Sequence, residues 1–380
     1  MKKFILAALI ISMLCSGAYA IEPVGEGAIT IAVPSAVLME KTSGEVIYEK
    51  DAHTRRPPAS VTKVMTLLLV MEEIDAGRLA EADMVTCSSQ AASMGGSQIW
   101  LEEGETMSVH DMLKAVTVVS ANDCAVALAE HIAGSEESFV ARMNKRAAEL
   151  GMRDTNFCDA TGLTDNPEHL TTAYDIALMS RKLIGHEKIK AYTTIWMDTL
   201  RDGKSALTNT NKLVRFFKGT TGLKTGFTAK AMYCLAATAE RDGTEYIAVV
   251  MAGATTGDRF ESAKALLNYA FANYVLCPLR APEVLPPVCV DMGEADSVQP
   301  IYGGEEGILL EKTAMGEIKY ELLLPKSVPA PICKGDKLGE MVVCTGEKEL
   351  ARVPLLAEND VLKLSVFQVY GRLLCRMFGE

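Results

Sequence analysis

Three short motifs lie in order along the chain: Ser60-Val61-Thr62-Lys63, Ser120-Ala121-Asn122 and Lys224-Thr225-Gly226. A serine is a poor nucleophile until a base takes its proton. On a helix, a lysine three residues further on shares the serine's face about one turn away. That lysine becomes a base if burial and nearby cations depress its amine from about 10.4. A second serine relays a proton to a leaving amine, and a cationic strand anchors a carboxylate. The ordered set therefore points to serine acyl transfer on an amide next to a free carboxylate.

Each motif has a plainer reading. Ser-x-x-Lys is frequent by chance, but here Pro58-Ala59 precede the serine and the apolar stretch 67–70 follows as a buried helix. A serine at a helix start also offers its own N–H to an oxyanion. Ser120-Ala121-Asn122 follows the apolar run 116–119 and reads as a loop between two helices. There Ser120 would pass on the proton and Asn122 would hold the substrate backbone. Alternatively, Asn122 or Asp123 caps the helix that runs through Glu130. A lone Lys-Thr-Gly is usually a surface turn. Within 222–227, it reads instead as a strand edging a cleft. Lys224 would draw in a carboxylate, Thr225 would hydrogen-bond it, and Gly226 would let a ligand approach the backbone. The N–H of Phe227 would be a second oxyanion donor beside that of Ser60.

The elements that must hold these groups alternate up to about residue 280. Strands are expected over 28–40 and 45–48, joined by a turn at 42–44. Helices are expected over 61–76, after Pro57-Pro58, and over 109–133 and 138–150. Buried strands at 233–239 and 246–252 flank the Arg241-Asp242-Gly243 turn, and a helix follows over 260–274. This describes an α/β (α+β) domain with a mainly antiparallel sheet. After Cys277-Pro278, prolines recur and short strand-like stretches at 307–311, 318–324 and 339–344 suggest a small all-β domain without a catalytic constellation.

The termini suggest export. Lys2 and Lys3, an apolar run to Cys15 and Ala18-Tyr19-Ala20 read as a secretory leader. At the other end, Leu362, Val366, Val369, Tyr370, Leu373, Leu374 and Met377 share one helical face. Ser365, Gln368, Arg372 and Arg376 share the other, with Lys363 off the polar face near the start. A spanning helix needs about 20 apolar residues, and an arginine at mid-membrane costs roughly 2.5–3.5 kcal/mol. A helix lying in the membrane surface, arginines toward anionic headgroups, fits better; a terminal helix docked on the protein's own core is the alternative. The expected division is leader 1–20, catalytic domain 21–280, all-β domain 281–358 and amphipathic helix 359–380.

The net charge of −11 gives no electrostatic support for a nucleic-acid partner. Of ten cysteines, one lies in the leader. The odd remainder, without any C-x-x-C, reads as buried free thiols rather than a metal site. No cofactor is called for.

The sequence resembles the low-molecular-mass penicillin-binding proteins of the serine D-alanyl-D-alanine carboxypeptidase (peptidase S11-like) family. The likeness rests on residues 58–66 around Ser60, on Ser120-Ala121-Asn122-Asp123 with Ala125, and on Met143-Asn144. It continues through Leu150-Gly151-Met152, Thr155-Asn156-Phe157, Gly162-Leu163 and the run His169 to Asp175. The resemblance implies a β-lactamase/transpeptidase-like fold, acylation of Ser60 with Lys63 as base, a relay through Ser120, and substrate binding by Asn122 and Lys224. It also places Arg259 near the substrate carboxylate and leads one to expect a small residue where Met232 stands. The implied reaction removes the terminal D-alanine from peptidoglycan stem pentapeptides, with β-lactam antibiotics as covalent inhibitors. An endopeptidase or transpeptidase would use the same site, and a non-catalytic peptidoglycan-binding protein is a further alternative. A class A β-lactamase would need a glutamate with an asparagine four residues on, and Glu168 is followed there by Thr172.

Overall fold

The computed structural model describes residues 21–281, 284–304 and 306–378; the expected leader lies outside them. Ile21–Val275 form one compact unit, and Leu276–Glu380 belong to a second.

The first unit is built on five strands: β1 (Ser35–Glu40), β2 (Val46–Lys50), β3 (Thr220–Thr228), β4 (Met232–Arg241) and β5 (Thr244–Gly253). They pair in the order β2-β1-β5-β4-β3, antiparallel throughout. β1 is buried along its whole length, as a strand covered on both faces must be. It starts at Ser35 rather than near residue 28. Pro34 has no N–H to give a ladder, and the Ala32 N–H instead donates to Ser262 Oγ at 3.2 Å. The expected turn at 42–44 forms because Glu40 accepts the N–H groups of Thr42 and Ser43.

The longer helices of the unit are α1 (Lys63–Asp75), α2 (Val109–Val118), α3 (Asn122–Ala133), α4 (Glu136–Glu149), α5 (Ala173–Leu183) and α6 (Thr256–Asn273). α1 is buried from Lys63 to Ile74 except at Glu72, the pattern of a central helix with no solvent face. A 3-10 turn, Ala59–Thr62, precedes it. The helical stretch expected over 109–133 is broken between α2 and α3, where Ser120-Ala121-Asn122 reads as a loop. Ser120 adopts φ +68°, which ends α2 because a left-handed residue cannot continue a right-handed helix. The capping reading for Asn122 and Asp123 also fails. Ala121 occupies the cap position without a side-chain bond, and the Asp123 carboxylate accepts the N–H groups of Ile99 and Leu101. α6 is closed at its start by a reciprocal capping box of Thr255 and Asp258.

The second unit holds a three-stranded and a four-stranded sheet, around 288–329 and 300–357. One core gathers Leu310, Met341, Val343 and Leu355, and the other Val288, Val298, Ala357 and Val361. Helix α7 (Val366–Phe378) follows. It begins later than the sequence suggested because residues 361–364 spend their backbone groups on Ile332, Glu294 and Met292. Ser365 and Gln368 then close its first turn, with the Ser365 N–H donating to Gln368 Oε1 at 2.7 Å and the Gln368 N–H to Ser365 Oγ at 3.4 Å. None of the described helices is long and apolar enough to cross a membrane.

All nine cysteines of the described chain are free thiols. Cys87, Cys124, Cys234 and Cys277 are buried as expected, whereas Cys289, Cys333 and Cys375 are exposed.

Candidate active site

Ser60 lies in the 3-10 turn at the head of α1, directly after Ala59 at φ +50°. Such a conformation costs an alanine of order 1–3 kcal/mol, so its surroundings must hold it. Lys63, fully buried at the first turn of α1, places Nζ 3.2 Å from Ser60 Oγ. The same Nζ lies 2.5 Å from Asn122 Oδ1 and 2.9 Å from the Thr161 carbonyl oxygen. Both of these partners are acceptors. A neutral amine has two hydrogens and one lone pair, so giving the hydrogens to Asn122 and Thr161 leaves the lone pair facing Ser60. Burial drives Lys63 toward that neutral form, lowering its pKa from 10.5 to about 7, with Asp159 and Asp123 pulling the other way.

The break between α2 and α3 brings the second motif to the same place. Asn122 Nδ2 donates to the Gly95 carbonyl at 2.7 Å, which leaves its second amide hydrogen uncommitted. Ser120 Oγ is buried and has no hydrogen-bond partner. An unpaired buried hydroxyl is costly to keep, and here it belongs to the residue that sequence reasoning assigned to proton relay.

β3 supplies the third motif from the edge of the sheet. It comes so close to the nucleophile turn that a Cβ on Gly226 would meet the Pro58 oxygen at 2.8 Å and the Ser60 nitrogen at 3.1 Å. Glycine at 226 is thus demanded by packing against the turn that carries Ser60. Lys224 Nζ is buried and donates to the Thr225 carbonyl oxygen at 2.9 Å. Burial pushes its pKa well below the usual value, and repulsion from Lys63 and Arg259 adds to the shift. An arriving carboxylate would supply the missing counter-charge. Thr225 Oγ1 donates to Thr210 Oγ1 at 2.7 Å. Arg259, 8% exposed, donates from Nη1 to the Gly226 carbonyl oxygen at 3.2 Å. Its guanidinium also sits 5.3 Å from the centre of the Tyr233 ring.

Sequence reasoning missed three contributors. Thr161 acts through its backbone oxygen, which no side-chain motif advertises. Asp159 holds that loop by accepting the N–H groups of Thr161, Gly162 and Thr164. Thr210 is a hydroxyl brought in from the segment before β3. Glu168, the one glutamate weighed as a second base, is exposed. Among the described residues no cluster of three His, Cys, Asp or Glu side chains could hold a metal ion.

A buried amine aimed at a serine hydroxyl, with a cationic strand edge beside it, is equipment for acyl transfer through a serine ester. Residues 22–255 match the D-alanyl-D-alanine carboxypeptidase family (Peptidase S11), and 283–363 match the C-terminal domain of penicillin-binding protein 5. The chain belongs to this carboxypeptidase family and is a serine hydrolase of that kind. It is 42% identical to the D-alanyl-D-alanine carboxypeptidase DacF of Bacillus subtilis, over 87% of this chain and 86% of that protein. Penicillin-binding protein 5 from Haemophilus influenzae superposes with a TM-score of 0.75 at 31% identity, covering 90% of this chain and all of that one. Penicillin-binding protein D2 from Listeria monocytogenes, solved in its ampicillin-bound form, aligns over 63% of this chain and 98% of that one. Its TM-score is 0.58 and its identity 33%.

Proposed function

We propose that this protein removes the terminal D-alanine of peptidoglycan stem pentapeptides through an ester on Ser60. The observation that carries the reading is the buried Lys63 amine, with Nζ 3.2 Å from Ser60 Oγ and beside two fixed acceptors, Asn122 Oδ1 and the Thr161 carbonyl oxygen.

Lys63 takes the Ser60 proton as Oγ attacks the carbonyl carbon of the penultimate D-alanine. The oxyanion settles between the N–H groups of Ser60 and Phe227, where the loss of one donor typically costs about 10²–10³ in rate. Lys224 and Thr225 take the terminal carboxylate, Arg259 adds positive charge beside them, and Asn122 offers its uncommitted amide hydrogen to the peptide. Ser120 relays the proton from Lys63 to the leaving nitrogen, the C–N bond breaks and D-alanine departs. Water then cleaves the ester and restores Ser60. A β-lactam enters the same first step, because its strained amide also stands next to a carboxylate. The ampicillin-bound state of the Listeria protein supports this inhibition.

The reading extends to location: the enzyme is exported, with the catalytic domain at 21–280, the all-β domain at 281–358 as a spacer and the segment 359–380 as a peripheral membrane contact. Supporting this, α7 leaves Val366, Phe367, Tyr370 and Leu373 more than half exposed. In the free protein Arg372 is turned to Asp296 at 2.9 Å rather than outward. The test of the whole reading is release of D-alanine from a stem pentapeptide, compared with a Ser60→Ala control.

A further inference from the structure

Three contacts clamp residues 158–169 onto the turn that presents Ser60. Thr66 Oγ1 donates to the Ala160 carbonyl at 2.6 Å, Lys63 donates to the Thr161 carbonyl, and His169 Nε2 lies 2.8 Å from Thr62 Oγ1. The fit is tight enough that a Cβ on Gly162 would meet the Ala59 oxygen at 1.8 Å.

The protons in the third contact can be assigned. The Cys158 N–H donates to His169 Nδ1 at 2.9 Å, so that nitrogen carries no hydrogen. Thr62 Oγ1 donates its only hydrogen to the Ala59 carbonyl oxygen at 2.8 Å. The Nε2 hydrogen of His169 is then the one that joins imidazole and hydroxyl. A directed chain results, from the Cys158 N–H through His169 and Thr62 to the Ala59 carbonyl. It ends on the left-handed residue immediately before the nucleophile. His169 and Thr62 are 4% and 0% exposed, so water does not compete. The imidazole is wedged at its edge by Phe157, ring centres 5.9 Å apart. Burial holds its pKa below the usual value, in keeping with the neutral tautomer; a proton on Nδ1 would set donor against donor at Cys158.

We propose that His169, acting through Thr62, is a positioning residue that holds the Ala59–Ser60 turn in its left-handed conformation and so keeps Ser60 Oγ on the Lys63 amine. It touches neither substrate nor reacting atoms. The inference rests on Ser60 and Lys63 having the roles given above.

The experiment measures penicillin acylation of the full chain by rapid mixing, separating the non-covalent dissociation constant from the acylation rate constant. Each preparation is normalised by the number of sites penicillin can titrate. Thr62→Val, nearly isosteric, removes the hydroxyl; Thr62→Ser retains it; His169→Ala removes the imidazole. The expected result is a roughly 10- to 100-fold slower acylation step in Thr62→Val and His169→Ala, the scale of a misplaced nucleophile. The dissociation constant should stay within about twofold, Thr62→Ser should keep near-native rates, and the double variant should be no slower than the slower single. A purely structural role would lower the melting temperature or the titratable fraction and leave the normalised rate constant unchanged. That result in Thr62→Val overturns the proposal even if His169→Ala does not fold. Ser60→Ala separates the two levels: its continued acylation would remove the underlying site, whereas its inertness beside a fast Thr62→Val would remove only the positioning role.

Discussion

In the proposed mechanism Lys63 is a base inside a protein, and its burial and neighbours are suited to that role. Burial lowers its pKa from 10.5 to about 7 against the pull of Asp159 and Asp123, and the Asn122 and Thr161 oxygens stand ready to accept the hydrogens of the neutral amine. The sign follows from the protonation state required: only the neutral amine accepts the Ser60 proton. Acylation by penicillin should therefore rise about tenfold per pH unit on the acid side and level off above about 7, read from the pH profile of the acylation rate constant. A break near 10 would mean that Lys63 remains an ammonium and is not the base. Linkage gives the matching effect on stability. Between about 7 and 10.5 the unfolded chain binds the proton that the folded chain releases, so this residue's contribution to stability rises with pH across that window. The side chains at Ser60, Lys63, Ser120, Asn122 and Lys224 could be singled out as candidates in the sequence because the proposed chemistry depends on residue type at short spacing. Thr161 was not, because it acts through a carbonyl 98 positions from its partner. His169 stood in the sequence without a role, since its importance depends on which proton it holds.

At the scale of elements, the site is a meeting of two distortions and an edge. The left-handed Ala59 and Ser120 turn their chains into the cleft, and β3 closes at Gly226 on the turn that follows Pro58. Strand positions and the antiparallel sheet could be read from apolar alternation and turn residues. The break between α2 and α3 was legible only from the Ser120-Ala121-Asn122 motif, because apolar periodicity continues in phase through Val119. Met232 has a conformational explanation that composition alone did not supply. It adopts φ +58° at the start of β4, opposite Thr228 in the tight turn from β3. A left-handed conformation costs a non-glycine residue about 1–2 kcal/mol, while glycine brings an entropic penalty of roughly 0.5–1 kcal/mol. Met232 is 36% exposed, so nearly two-thirds of its surface is covered and truncation gives up part of that burial. The relief of strain and the loss of burial nearly cancel, so Met232→Gly should shift stability by less than about 1 kcal/mol, measured as the denaturation midpoint at unchanged slope. A larger destabilisation would mean that packing of the methionine side chain outweighs its backbone strain.

For the molecule as a whole, the proposal assigns catalysis to the first unit and membrane contact to the tail of the second. The amphipathic pattern of the tail was legible, but its start was not, because pairing of 361–364 with the β-rich unit delays the helix to Val366. Val361 belongs to a core of that unit, so an informative truncation must spare it. A chain ending at Leu364 should release D-alanine as fast as the full mature chain yet no longer sediment with anionic phospholipid vesicles. Equal sedimentation of both would remove the tail from the account. The claim on which all of this depends is the ester on Ser60. Its most direct test incubates the mature protein with a stem pentapeptide ending in D-Ala-D-Ala and measures free D-alanine beside Ser60→Ala. The account predicts steady release by the native enzyme and none by the variant. Release by Ser60→Ala at the native rate would contradict it.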